Sequence, residues 1–134
     1  MARMFQASHR AGWAFTALIA LANGVAAAEP VLVISFSNER LEFGPGDIVQ
    51  AMPVFTQKNV PAVAFRMSDQ KARKFGALTE RHIGEKVDLV VCGNVIFSPL
   101  INTPILSGSG LIASSLSLDD AKKMAARLLS GTCE

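Results

Sequence analysis

Charge, sulfur and imidazole are all scarce in this sequence. Charged residues make up 18% of it and the formal net charge is +2. A cationic strip able to hold a polyanion is therefore excluded, because nucleic-acid affinity is built from many phosphate contacts. The two histidines are His9 and His82, and the two cysteines are Cys92 and Cys133. Such numbers support no histidine-based zinc site, and the cysteine spacing is not that of a thiol-disulfide oxidoreductase. A length of 134 residues holds one domain and makes a multidomain enzyme a poor starting guess. Apolar side chains, by contrast, are plentiful at 50%, which excludes a disordered chain and supplies one modest core.

The first 28 residues carry three signals in order. Arg3 and Arg10 come first, then an apolar stretch over residues 11–22 with Trp13, Phe15, Leu18, Ile19 and Leu21, then Val25-Ala26-Ala27-Ala28. This is the layout of a secretory signal peptide. Its apolar run of about 12 residues falls short of the roughly 20 that a membrane-spanning helix needs, and Ala26 with Ala28 satisfies the small-x-small rule for cleavage. Cleavage after Ala28 is expected, leaving a single periplasmic domain over residues 29–134; an uncleaved anchor is the alternative. Removing Arg3 and Arg10 balances acid and base in the mature chain, so no net charge steers it toward nucleic acid or an anionic membrane. Stable membrane insertion after cleavage is not expected.

Both cysteines survive that cut. In an oxidising compartment an even pair with nothing else to ligate reads as one disulfide, Cys92 to Cys133, and two unpaired thiols are the alternative.

Residues 31–37 are rich in β-branched and aromatic side chains and read as a strand. Polar residues 38–42 and the turn signature Gly44-Pro45-Gly46 follow. Residues 47–56 and 60–67 read as two more strands, with Pro53 at an edge or bulge and Pro61 near a strand start. A short helix over 48–52 is the alternative for the first of these. Ser68 then caps an amphipathic helix that Gly84 ends, with Ala72, Phe75 and Leu78 on its apolar face. Residues 87–92 and 95–98 flank Gly93-Asn94 and read as a hairpin. The 99–110 segment is irregular, 111–116 is a short strand, and Ser117 opens a last helix that stops at Gly131. Two one-sided helices and these strands predict an α+β fold, a two-layer sandwich in which a mostly antiparallel sheet of five or six short strands carries both helices on one face.

A search for chemistry returns little. His82, alone on the apolar side of its helix, reads as a packing residue rather than a ligand or general base. Gly108-Ser109-Gly110 is too short for a nucleophile elbow, and the glycines match no phosphate loop. Asp119 and Asp120 at a helix start are explained by capping and dipole. Lys71, Arg73, Lys74 and Arg81 make a locally basic helix without neighbouring aromatics to stack bases, which is the pattern of a solvated face. No catalytic residue, metal site or cofactor is expected. A binding module remains, with Phe97, Pro99, Leu100, Ile101, Pro104 and Ile105 and the adjoining hairpin as its contact surface, or an unpaired sheet edge that receives another chain. The alternative function is a periplasmic small-ligand carrier with a pocket between helices and sheet.

From Val60 onward the order of features carries a resemblance. Pro61-Ala62-Val63-Ala64-Phe65, then Phe75, Leu78-Thr79 and Gly84, then Gly93-Asn94-Val95 and Ser98-Pro99-Leu100-Ile101 come in sequence. They are followed by Pro104-Ile105, Gly108, Ile112, Ala121, Leu128, Leu129 and Gly131. This series resembles the head subdomain of the first periplasmic domain of SecD, the accessory subunit of the bacterial preprotein translocase. The resemblance implies a periplasmic α+β module that handles polypeptide and is not an enzyme, here as a free-standing secreted version with a protein or polypeptide partner.

Overall fold

The computed structural model describes residues 29–134; the signal-peptide reading of residues 1–28 lies outside the described residues. In chain order the elements are β1 (Leu32–Ser35), β2 (Arg40–Phe43), β3 (Ile48–Phe55), β4 (Pro61–Met67), α1 (Asp69–Arg81), β5 (Asp88–Val91), β6 (Asn94–Phe97), β7 (Ser109–Ile112) and α2 (Leu118–Ser130). The α+β class and antiparallel pairing agree with the sequence reading, but the single sheet does not. The strands divide into a four-stranded sheet ordered β2-β1-β5-β6 and a three-stranded sheet ordered β3-β4-β7. Both edges of β1 are occupied, by β2 and β5, and the β3-β4 hairpin pairs with β7 instead of joining that sheet.

Strand β2 explains part of the difference. Residues 38–42 look polar as a run, yet Arg40-Leu41-Glu42-Phe43 alternates with period two, and Leu41 and Phe43 face inward opposite Ile34 and Leu32. Across the same face lie Leu89 and Val91 of β5, and Phe97 of β6 follows opposite Leu89. The second sheet turns Ala51, Val63, Phe65 and Ile112 to the core. One apolar cluster draws on both sheets and on both helices, through Phe75 and Leu78 of α1 and Ala121, Met124, Ala125 and Leu128 of α2.

Local chemistry sets the helix ends. Ser68 Oγ accepts the Lys71 N–H at 3.4 Å, and Ser117 Oγ accepts the Asp120 N–H at 3.1 Å. Helix α2 closes on Gly131 at φ 72°, and a Cβ there would lie 2.3 Å from Pro45 Cα. The end of α2 therefore needs the small profile of Gly131 to pass the Gly44-Pro45 backbone.

The hairpin turn falls one residue earlier than expected. Cys92 and Gly93 carry positive φ, 48° and 81°, and Asn94 begins β6 opposite Val91. Paired positive φ values suit the two-residue turn that matches strand twist. Cys92 is held in this conformation by its N–H to the Val31 carbonyl, 3.1 Å, and by a disulfide to Cys133 with Cα atoms 5.5 Å apart. The bridge ties the tail behind α2 to the four-stranded sheet.

Two stability outcomes follow from this geometry. Replacing both cysteines by serine should lower the unfolding free energy by about 4 kcal/mol in the chain-entropy account, read as a lower urea midpoint. Gly131→Ala should cost about 2–4 kcal/mol, combining left-handed backbone strain with overpacking on Pro45, whereas Gly44→Ala, where a Cβ meets nothing within 4 Å, should be far milder.

Candidate functional site

Strands β6 and β7 are the outer strands of different sheets, and each leaves one hydrogen-bonding edge without a strand partner among the described residues. Between them opens an apolar cavity of about 160 Å³. Its buried wall is Ile34, Phe65, Phe75, Val87, Leu89 and Ile101. Phe97 and Pro99 on one side, and Ile105 with Ser109, Gly110 and Leu111 on the other, are the lining residues that reach solvent, with Leu111 47% exposed. Gly110 faces Phe65, whose ring carbon would lie 2.5 Å from an added Cβ, so a side chain at 110 would meet the cavity wall. Ligand pockets generally run from about 300 Å³ upward, while about 150 Å³ accepts a single benzene ring. This cavity is therefore the size of one apolar side chain. A larger hollow of about 510 Å³ beside α1 is shallow and mixes Asp69, Arg73 and Glu80 with Leu106.

Four of the six contact residues read from sequence, Phe97, Pro99, Ile101 and Ile105, meet around that cavity. Ile101 does so from the core side at 3% exposure, so it shapes the wall rather than offering a surface. Leu100, 49% exposed, and Pro104, also exposed, lie outside the lining. Leu111 was not among the expected residues; the sequence marks it only as the start of a short strand, 111–116, whereas the strand runs over Ser109–Ile112.

The basic run on α1 is not a uniform solvated face. Lys71 folds back, its Nζ donating to the Glu42 carbonyl at 2.5 Å and lying 5.4 Å from the Phe43 ring centroid. Arg81 pairs with Glu39, Nη2 to Oε1 at 2.9 Å and Nε to Oε2 at 3.3 Å.

His82 is buried, as its position suggested, but between two acids rather than among apolar groups alone. It lies just after α1, with Phe36 against its ring at 4.7 Å between centroids. Its Nε2 is 2.7 Å from Glu39 Oε2, and its Nδ1 meets Glu85 Oε2. Ser37 Oγ donates to the other Glu85 oxygen at 3.2 Å. Neutral imidazole has one N–H, so two ionised carboxylates on opposite ring nitrogens match the imidazolium. Both nitrogens are occupied and the nearby hydroxyl bonds the acid, so the ring is not wired to activate a nucleophile. Each carboxylate is turned onto a different ring nitrogen, and no group of three or more His, Cys, Asp or Glu suited to a metal occurs among the described residues. The Glu39 hydrogen bond raises the His82 pKa above its ordinary value, with Glu85 adding to it against the opposing effect of burial. Glu39 is held low, first by Arg81 and then by His82.

The sign of the pH effect follows. The His82 contribution to stability is fully present below the ordinary imidazole value of about 6.5 and is lost as pH rises through the raised folded value. The Glu39 contribution is present above the ordinary carboxylate value and is lost as pH falls through its depressed folded value. In thermal melts across pH, His82→Gln should lie furthest below the unsubstituted protein between those two ordinary values. The gap should narrow on the alkaline side; a constant gap would show that the ring contributes packing alone.

Comparison with known proteins adds the family. Residues 30–133 match the family described as SecDF, P1 head subdomain. The protein translocase subunit SecD of Rhodobacter capsulatus is 39% identical over 85 residues, 63% of this chain and 15% of that protein. SecD of Dictyoglomus turgidum is 35% identical over 77 residues, 58% of this chain and 19% of that protein. A solved structure of a membrane component SecDF that enhances protein export superposes with a TM-score of 0.61 at 32% identity, covering 64% of this chain and 39% of that one. SecDF in its super-membrane-facing form gives 0.62 at 31% identity, covering 64% of this chain and 12% of that one. The chain thus spans less than a fifth of the length of these SecD relatives, and no helix among its described residues is long and apolar enough to cross a membrane. With the sequence match running through nearly all of the described residues and the fold agreeing, the chain belongs to the SecDF P1 head subdomain family.

Proposed function

We propose that this domain is a periplasmic, non-enzymatic polypeptide-binding module of protein export, delivered by a leader cleaved after Ala28. Its contact surface is the cleft between β6 and β7 together with the 97–106 segment. The observation that carries this reading is the pairing of two free strand edges with a cavity sized for one apolar side chain. An extended polypeptide can add its backbone to a free edge and turn alternate side chains into such a cavity. Exposed Leu100 and Leu106, the latter at 68%, would extend the apolar contact beyond the mouth. The relatives carry the name protein translocase subunit, which accords with this chemistry. A carrier of whole small molecules is less well supported, since the apolar cavity is about half the usual minimum volume.

The test is an NMR titration with a polar, extended peptide carrying one central leucine, beside the same peptide with alanine there. The leucine peptide should bind and shift Phe97, Ile105 and Leu111, and Leu111→Asp at the mouth should weaken it about tenfold, the scale of one buried apolar side chain. Equal affinity of the two peptides, or shifts confined to other surfaces, would overturn the proposal.

A further inference from the structure

The cavity wall is joined to the His82 cluster by a short hydrogen-bonded path. The His82 carbonyl accepts the Glu85 N–H at 3.1 Å, and the Glu85 carbonyl accepts the Ile101 N–H at 2.9 Å. The Ile101 carbonyl in turn accepts the Gly84 N–H at 2.7 Å, and the Pro99 carbonyl accepts the Val87 N–H at 3.0 Å. Lys86 and Leu100 form an isolated antiparallel bridge in the same place. Four residues beyond Ile101, Ile105 donates its N–H to Thr79 Oγ1 at 2.9 Å, and Thr79 also accepts the His82 N–H through its carbonyl at 3.3 Å. The 84–87 segment is thus the rail on which Pro99 and Ile101 are hung. Glu85, in the middle of that rail, is anchored by its side chain to His82 and Ser37.

We propose that His82 is a pH-sensitive latch that, as imidazolium, fixes the 84–87 rail and with it the Pro99–Ile101 wall of the cleft, and that loses its hold on Glu85 when the ring is neutral. The charged groups facing the ring are Glu39 from the β1-β2 turn and Glu85 from the α1-β5 connection. Arg81 of α1 reaches Glu39 rather than the ring, Phe36 offers an uncharged face, and the 99–101 segment brings no titratable group. Neutral imidazole supplies one N–H to two carboxylates. Glu39 keeps Arg81 as a partner in that state, whereas Glu85 keeps only the Ser37 hydroxyl, so Glu85 is the side that releases. The raised pKa of His82 agrees with this geometry and puts the release on the alkaline side of ordinary imidazole titration. A loosened wall populates the preformed cavity less, and apparent affinity falls with the competent fraction.

The consequence for ligand rests on the cleft being the polypeptide site; the latch itself does not. The experiment therefore has two arms on the full chain. Amide hydrogen exchange, corrected for intrinsic rate, is measured on both sides of the His82 titration, which is followed by its own ring signals. Protection at Gly84, Val87 and Ile101 should fall about fivefold or more toward alkaline pH, in the range of ordinary coupling between sites, while β4 amides hold constant. His82→Gln and Glu85→Gln should each give low, pH-independent protection at those three amides. Unchanged protection in the unsubstituted protein as His82 titrates, or a parallel fall throughout β4, would overturn the latch. In the second arm the leucine peptide should bind more weakly at alkaline pH. A pH-independent affinity alongside the expected exchange result would sink the link to binding and leave the latch. Absence of peptide binding at either pH would sink the proposed function instead.

Discussion

Each sheet of this domain is too narrow to bury its apolar face alone, and the shared core between them is the contact on which the rest depends. Ile34, Leu41, Phe43 and Leu89 from one sheet and Val63, Phe65 and Ile112 from the other belong to one cluster with the two helices. Small domains bury a limited fraction of their surface, so a split sheet is stable only if both halves feed the same interior. The arrangement has a cost in exposed backbone: two sheets have four edges where one would have two. Strands β6 and β7 are two of those edges, and the cleft opens where their sheets part.

What closes the domain elsewhere is covalent and steric. The disulfide joins the chain beyond α2 to the β5-β6 turn, and Gly131 lets α2 end flush on the Gly44-Pro45 turn. These contacts lie at the C-terminal end of α2 and leave the mouth of the cleft free of covalent restraint. Its wall is held instead by three backbone hydrogen bonds and a charged cluster. Family membership accounts for the fold, while the acids around His82 are read from this chain's own residues.

Much of the fold was legible in the sequence. Serine caps at 68 and 117, glycine at 131 and the apolar spacing of α1 and α2 identified both helices, because capping and periodicity are local. The hairpin was found one residue out of register, since Gly93-Asn94 and Cys92-Gly93 both tolerate positive φ and only pairing distinguishes them. Strand β2 was overlooked because a short alternating run with Arg40 and Glu42 on its outer face resembles a polar loop. The six expected contact residues were clustered by proximity in sequence; folding sorted them, sending Ile101 inward and Leu100 outward.

The sequence by itself determined both helices, the even cysteine count and the scarcity of reactive groups, because these depend on composition and on neighbours within a few residues. Only the tertiary structure decided that the strands form two sheets, that Leu111 joins Phe97 at one cavity, and that His82 lies between Glu39 and Glu85. The first of those acids is 43 positions away from the histidine. Contacts of that range are set by which strand edges are already occupied and by how the two sheets share a core, and nothing in a local pattern encodes either.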